Sequence, residues 1–328
     1  MTTEAHREAR ACREAVLQAW RDTLERAPES DEQNFFEAGG NSILAVQLQR
    51  RLAGALGRRV SLKEIHENPT VLGLLGLRAP RGRQHPVGDV SPAPVLNLYC
   101  LPYAGSSARI YAPWQDELPS WVTLVPLELP GRGARWSESA KSDLSELLDD
   151  LARRVEQAGH APYAIFGHSF GGVLAFELAR HLRMRGFPAP RRLLVSGCPA
   201  PHLAVPDESS HDLPTEEFVH RLRQLSGTPE ELLENDELME LYIPVIRADY
   251  TILDHYKPSR AEPLGCGITA FYGRDDEDAD RAAVEAWDPY SDRDFAVEEI
   301  AGDHFFLRDS RSELLEGVTR YLTGRTDR

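Results

Sequence analysis

Two hydrophobic rhythms divide this chain. Over the first 78 residues, apolar positions return every third or fourth residue. Val16, Leu17, Trp20 and Leu24 keep that spacing, and the run from Ser42 to Leu52 (SILAVQLQRRL) has the pattern of an amphipathic helix. Shorter helical stretches follow around Leu62–His66 and Val71–Leu77. Residues 1–78 are therefore expected to form a small all-α, four-helix domain. From about residue 95 the rhythm changes to short apolar runs of strand length: Val95–Leu101, Val122–Leu129, Ala161–Gly167, Arg192–Gly197, Gly267–Gly273 and Phe295–Gly302. Helical stretches separate them, among them Lys141–Gln157, Gly172–Arg185 and Asp278–Trp287. That alternation predicts an α/β domain over 95–328, a mostly parallel sheet with helices on both faces. Residues from about 205 to 258 break the alternation. They read as helices without a strand and are a candidate lid. Residues 79–94 (APRGRQHPVGDVSPAP) show no hydrophobic periodicity and are rich in proline and glycine, the composition of a linker.

The most specific chemistry lies where a strand run meets a helix run. Tyr163-Ala164-Ile165-Phe166 leads into Gly167-His168-Ser169-Phe170-Gly171-Gly172, and a helical pattern follows. Strand, G-x-S-x-G, helix is the context of a nucleophile elbow in an α/β-hydrolase fold. It would expose the Ser169 hydroxyl on a turn too tight for a Cβ at Gly167 or Gly171. Taken alone, the motif is also compatible with a chance turn. A serine hydroxyl needs a base, and the base needs an orienting acid. In elbow hydrolases these follow in the order serine, acid, histidine. His304, in AGDHFF, is the only histidine downstream of Asp276 and is the candidate base. His168, next to the serine, is expected to point away. The candidate acids after the Gly267–Gly273 run are Asp275 and Asp276, with Asp249 and Asp254 as weaker alternatives. An oxyanion hole would draw one backbone N–H from Phe170 and another from the loop Leu101–Ser107, with Ala104 the candidate. The alternative for that loop is a plain βα turn.

Composition narrows the field. The chain has 328 residues and a formal net charge of −15, which argues against a nucleic-acid partner and gives no reason to expect an anionic membrane surface. No apolar run reaches membrane-spanning length, and the N-terminus lacks a signal-like apolar stretch. The four cysteines lack C-x-x-C spacing and the eleven histidines lack ligand spacing, so neither a disulfide framework nor a metal is expected. A cytoplasmic protein is the expectation.

The first domain carries a second candidate serine. In Phe35-Phe36-Glu37-Ala38-Gly39-Gly40-Asn41-Ser42-Ile43-Leu44-Ala45, Ser42 opens a helix, and on generic grounds it could be a plain N-cap. The segment closely resembles the attachment motif of peptidyl carrier proteins from nonribosomal peptide synthetases. The resemblance covers nearly all of residues 1–78, through the closing ENPTVLGL. It implies 4′-phosphopantetheine on Ser42, its thiol holding an acyl group. One departure is Gln33, where the family usually has aspartate. The second domain resembles the thioesterases of the same pathways of secondary metabolism, most closely the type II group. LPYAGSSA, LELPGRGAR, GHSFGG and AGDHFFL carry the likeness, which covers almost all of residues 95–325. The family pattern places the acid three residues after the glycine, which favours Asp276. The pair of resemblances implies a carrier–thioesterase didomain that hydrolyses aminoacyl or peptidyl thioesters through a Ser169–His304–Asp276 triad. Acyl transfer or cyclisation, editing of other carriers, and a docking protein without activity are the alternatives. Implied partners are a phosphopantetheinyl transferase, adenylation or other synthetase and tailoring enzymes, and the thioester substrate. A type II enzyme usually stands alone, so the fused carrier is a departure from that group.

Overall fold

The computed structural model describes residues 3–77, 96–203, 210–224, 230–258 and 262–323. The expected linker 79–94 lies outside the described residues, as do parts of the expected lid. The chain falls into two compact units. One comprises Met1–Gly88, Ala134–Glu138 and Leu222–Pro244. The other comprises Asp89–Gly133, Ser139–Arg221 and Val245–Arg328.

The first unit contains α1 (Thr3–Leu24), α2 (Ser42–Leu56), α3 (Leu62–Glu67) and α4 (Val71–Leu74). The helical spacing read from the sequence marks buried faces: Val16 and Trp20 on α1, and Ala45, Leu48 and Leu52 on α2, are buried. Phe35 sits edge-on to Trp20, with ring centroids 5.2 Å apart, and edge-on to Phe36 at 5.4 Å. The FFEAGG loop is thereby anchored in the bundle by its aromatic pair. Each short helix starts on a capping side chain. Asn41 accepts from Leu44 N–H, Ser61 from Glu64 N–H and Thr70 from Gly73 N–H.

In the second unit six strands form one sheet: β1 (Leu96–Leu101), β2 (Val122–Pro126), β3 (Tyr163–His168), β4 (Arg192–Ser196), β5 (Gly267–Gly273) and β6 (Phe295–Ile300). Their order is β2-β1-β3-β4-β5-β6, and every neighbouring pair is parallel, where the sequence suggested mostly parallel. Both faces of the central strands are covered, which is why they read as continuous apolar runs. Alternate residues serve opposite sides. Tyr99, Ile165, Leu193 and Ile268 join a core with α5 (Leu144–Gln157) and α6 (Phe170–Met184). Leu98, Phe166, Leu194 and Phe271 join a core with Tyr111, Trp114 and the C-terminal helix.

The remaining helices are α7 (Thr215–Gln224), α8 (Glu230–Leu233), α9 (Asp236–His255), α10 (Arg281–Glu285), α11 (Phe306–Asp309) and α12 (Arg311–Leu322). The division between the units falls within α9, at Pro244. Three readings are revised. The stretch 278–287 is helical only over α10, because Asp280 caps it at Ala283 N–H. The second strand stops at Pro126 rather than Leu129. α12 is a helix not expected from the hydrophobic pattern, and its buried Leu314, Leu315 and Val318 cover the second face of the sheet.

The tightest backbone contact joins β3, α6 and β1. A Cβ on Gly167 would overlap the carbonyl of Gly171, and one on Gly171 would overlap the carbonyl of Leu101. Gly171→Ala should lower stability by roughly 1–3 kcal/mol. Gly54→Ala, in the exposed middle of α2 with nothing within 4 Å of the new methyl, should instead raise it by up to about 1 kcal/mol. Thermal or denaturant unfolding of the two variants checks the opposite signs.

Candidate active site

Loops that follow the carboxyl ends of parallel strands meet at one edge of the sheet, where such folds place their sites. Four of them matter here: those after β1, β3, β5 and β6.

Ser169 follows β3 at φ 53° and ψ −120°. Among the described residues only Glu25 and Ser169 have positive φ without being glycine. Such a backbone costs of order 1–3 kcal/mol. It persists because Ser169 N–H donates to Ser196 O on the next strand (2.8 Å) and because Gly167 and Gly171 let α6 start against the strand. The Ser169 side chain does not cap α6, so its hydroxyl is not spent on the helix it begins.

The candidate acid and base are in contact. His304 Nδ1 lies 2.9 Å from Asp276 Oδ2. Nδ1–H donates to the carboxylate, which leaves Nε2 as the basic nitrogen. The other Asp276 oxygen accepts from the N–H groups of Asp278 (3.0 Å) and Ala279 (3.1 Å). Asp276, the acid favoured by the resemblance, is buried, whereas Asp275 is exposed. The loops are tied together by Asp275 N–H donating to Gly302 O (3.0 Å) and Arg274 N–H to Ile300 O (2.9 Å). The two weaker acids are occupied elsewhere. Asp254 accepts from His211, at the backbone N–H and at Nδ1, while Asp249 pairs with Arg132. Asp278 adds a second carboxylate near Asp276 and His304. With both Asp276 oxygens engaged, the cluster reads as an oriented histidine rather than a metal site.

His168 turns inward, as expected. It is fully buried, with Nδ1 2.9 Å from Ser196 Oγ, and burial holds its pKa well below the usual histidine range, so it is neutral. Its ring lies 5.2 Å from that of His304. The candidate base is thus backed by an uncharged neighbour in the residue just before Ser169.

The loop after β1 forms a turn in which Ser106 N–H donates to Tyr103 O (3.0 Å) and Gly105 has φ 73°. Ala104, the oxyanion candidate, is the first central residue of that turn, which Ser106 N–H closes. Phe170 N–H belongs to the first turn of α6, where no intrahelical acceptor exists. Gly171 packs against the Leu101 and Pro102 carbonyls and so brings the two segments together.

Three buried charges hold that loop, a role the sequence reading missed. Asp249 accepts from Gly105 N–H (2.7 Å) and, through both oxygens, from the Arg132 guanidinium (2.6 and 2.8 Å). Arg132 also reaches Ser106 O (3.4 Å). Glu128 accepts from the Ser107 hydroxyl (2.5 Å) and Ala108 N–H (3.0 Å), and burial pushes its carboxyl pKa up. Glu128 and Arg132 both lie in LELPGRGAR, residues 127–135. Two charges with alternating glycines were the signal available there.

Of the aromatic residues near the site, Phe305 stacks edge-on with Tyr103 at 5.2 Å and with the His304 ring at 5.0 Å. Tyr256 instead belongs to the core, donating to Glu177 (2.8 Å), and Tyr250 packs on Phe218.

Ser42 is the first residue of α2, and the cap is Asn41. That removes the plain N-cap explanation for the second serine. Within the same unit, Ser42 Oγ lies 2.5 Å from the hydroxyl of Tyr242, whose oxygen is 3.1 Å from His66 Nε2. Asn41, Ser42 and the glycine pair before them present a short hydroxyl at a helix start, which suits a covalent phosphodiester there. No helix of the described residues is long and apolar enough to cross a membrane.

Comparison with known proteins bears on both domains. The thioesterase domain profile matches residues 96–322, and a profile described as a phosphopantetheine attachment site matches residues 14–77. Linear gramicidin dehydrogenase LgrE of Brevibacillus parabrevis is 42% identical over 234 residues, 69% of this chain and 89% of that protein. Its name is its own; the profile that matches the present chain is that of thioesterases. AMB antimetabolite synthetase AmbE of Pseudomonas aeruginosa is 30% identical over 308 residues, 88% of this chain but 14% of AmbE. The solved structure of the type II thioesterase BorB, from the borrelidin biosynthetic cluster, is similar at 35% identity and TM-score 0.64, over 71% of this chain and 94% of that one.

The buried pair makes an energetic prediction. Asp249→Ala strands the Arg132 charge and should cost about 3–5 kcal/mol. The double variant Arg132→Met/Asp249→Leu should recover most of that loss. Denaturant midpoints of the single and double variants measure the difference.

Proposed function

The chain belongs to the thioesterase domain family, related to the type II thioesterases, with a phosphopantetheine carrier domain ahead of it, and we propose that it hydrolyses aminoacyl or peptidyl thioesters held on carrier arms. The observation that carries this reading is the Asp276–His304 contact, made by the loops after β5 and β6, at the same strand ends as the strained, uncapped Ser169 after β3. A phosphopantetheine arm on Ser42 supplies a flexible thiol that holds the acyl group as a thioester.

The chemistry follows from the residues. His304 Nε2 takes the hydroxyl proton as Ser169 Oγ attacks the thioester carbonyl. Asp276 fixes the tautomer and stabilises the imidazolium. The N–H groups of Phe170 and Ala104 receive the developing oxyanion. On collapse the C–S bond breaks, and His304 returns the proton to the leaving thiolate. A water, deprotonated by the same His304, then attacks the acyl-Ser169 ester. The acid is released and Ser169 regains its proton. No metal is needed for any step. The chain's own carrier is the default substrate, because a short covalent tether gives an effective concentration that reaches the millimolar range.

The test is intact-protein mass over time after loading an aminoacyl-pantetheine group on Ser42. The wild-type chain should lose the acyl mass with water as acceptor, while Ser169→Ala should keep it with Ser42 loading intact. Asp276→Asn should slow release by roughly 10⁴-fold, as expected when the base loses its orienting carboxylate. If Ser169→Ala empties at the wild-type rate, the triad is wrong. A Ser42→Ala chain offered a separate loaded carrier measures action in trans.

A further inference from the structure

The unit that holds the carrier helices also holds the front of α9, and the two meet at Ser42. Glu237 makes two contacts there. One oxygen accepts from Leu62 N–H, at the start of α3 (2.7 Å), and the other from the Gln49 side-chain amide on α2 (2.8 Å). Five residues further along, Tyr242 reaches the Ser42 hydroxyl at 2.5 Å. His66 lies on the other side of the Tyr242 hydroxyl. Its ring is 4.7 Å from that of Phe36 and 4.2 Å from that of Trp136, and Trp136 is 5.6 Å from the Tyr242 ring.

The direction of every proton in this chain can be worked out. His66 Nδ1 faces Leu62 O at 2.8 Å, and a carbonyl only accepts, so Nδ1 carries the hydrogen. Burial keeps His66 neutral, which makes Nε2 an acceptor. Tyr242 therefore donates to His66 Nε2, and Ser42 donates to the Tyr242 oxygen. The contact uses the very hydrogen that an arm on Ser42 replaces.

We propose that Glu237 and Tyr242 form a docking surface for the unmodified carrier, and that seating this surface and loading Ser42 exclude one another. This rests on the reading of Ser42 as the attachment residue. In loading, Ser42 Oγ forms a bond to the β-phosphorus of coenzyme A. The pyrophosphate P–O bond breaks, adenosine 3′,5′-bisphosphate leaves, and the hydroxyl proton passes to the transferase. While Tyr242 sits 2.5 Å from Oγ, that phosphorus has no approach. Once the phosphodiester is in place, Ser42 has no hydrogen to donate and a bulky anion stands where the Tyr242 hydroxyl was. The half-buried Glu237 carboxylate keeps its two bonds, but the anion displaces the Tyr242 hydroxyl from Ser42 and with it from His66 Nε2, and the surface lets go. An empty carrier is kept covered, and a loaded one is released from this contact.

The experiment follows loading of the full-length chain by intact mass, with coenzyme A and a phosphopantetheinyl transferase. Wild type is compared with Tyr242→Phe, Glu237→Gln and the double variant, with Ser42→Ala as the blank. Hydrogen exchange of the peptide covering 236–244 is read in the unloaded and loaded forms. The variants should load roughly three- to ten-fold faster, the loss expected for one or two hydrogen bonds, and to the same final extent. Exchange at 236–244 should rise on loading in the wild type and be high in both forms of the double variant. Equal loading rates in all chains, with exchange at 236–244 unchanged by loading, would overturn the proposal. Absence of mass gain in every chain would sink the Ser42 assignment and this proposal with it.

Discussion

The second unit is organised by one close approach of backbone to backbone. Gly167 and Gly171 leave no room for a Cβ, so the first turn of α6 lies directly against β3 and against the Leu101–Pro102 carbonyls. Three consequences follow from that single steric fact. Ser169 is forced to positive φ and carries its hydroxyl clear of the helix. Phe170, in the orphan first turn, has an N–H with no helical acceptor. The loop after β1 is held beside both. The strain of about 1–3 kcal/mol at Ser169 is offset by the burial of α6, whose residues from Phe170 to Ala179 are all buried.

Around that contact the structure uses buried charge to specify conformation. The Arg132–Asp249 pair is almost fully removed from water, and such pairs rarely add net stability over apolar packing. What the pair does is fix one arrangement. Asp249 cannot hold both Arg132 nitrogens and Gly105 N–H unless the turn around Ala104 is in its observed form. Glu128 does the same for Ser107 and Ala108. Donors aimed at a developing oxyanion are effective only if they need no reorganisation when charge appears. Under the proposed mechanism, an inflexible polar mount under the loop would serve that end.

The two serines show how differently one residue type serves at a helix start. Ser42 is in the first helical turn, relieved of capping by Asn41, and its hydroxyl faces an acceptor chain through Tyr242 and His66. Ser169 precedes its helix at a strained position, with the oriented His304 on a neighbouring loop. The first is suited to be modified, the second to attack.

Much of this was legible from local pattern. Apolar runs located five of the six strands to within two residues. The glycine spacing marked the tight turn at Ser169, and His304, the only histidine after Asp276, was the candidate base. The resemblance of FFEAGGNS pointed to Ser42. All of these depend on short-range rules: strand and helix periods, and the room a glycine leaves. What the sequence could not decide depends on which distant segments the sheet order brings together. Asp276 was separated from Asp275 by burial and by the hydrogen bonds between the loops after β5 and β6. Asp249, read as a spare acid, became the mount of the Ala104 turn, 144 residues from Gly105. Tyr242, 200 residues from Ser42, carried no local signal at all. The sequence by itself determined the elements and the reactive residue types, because each element responds to its own neighbours. The tertiary structure alone assigned partners to the charges and hydroxyls, because a hydrogen bond depends on a distance of about 3 Å that no spacing along the chain encodes.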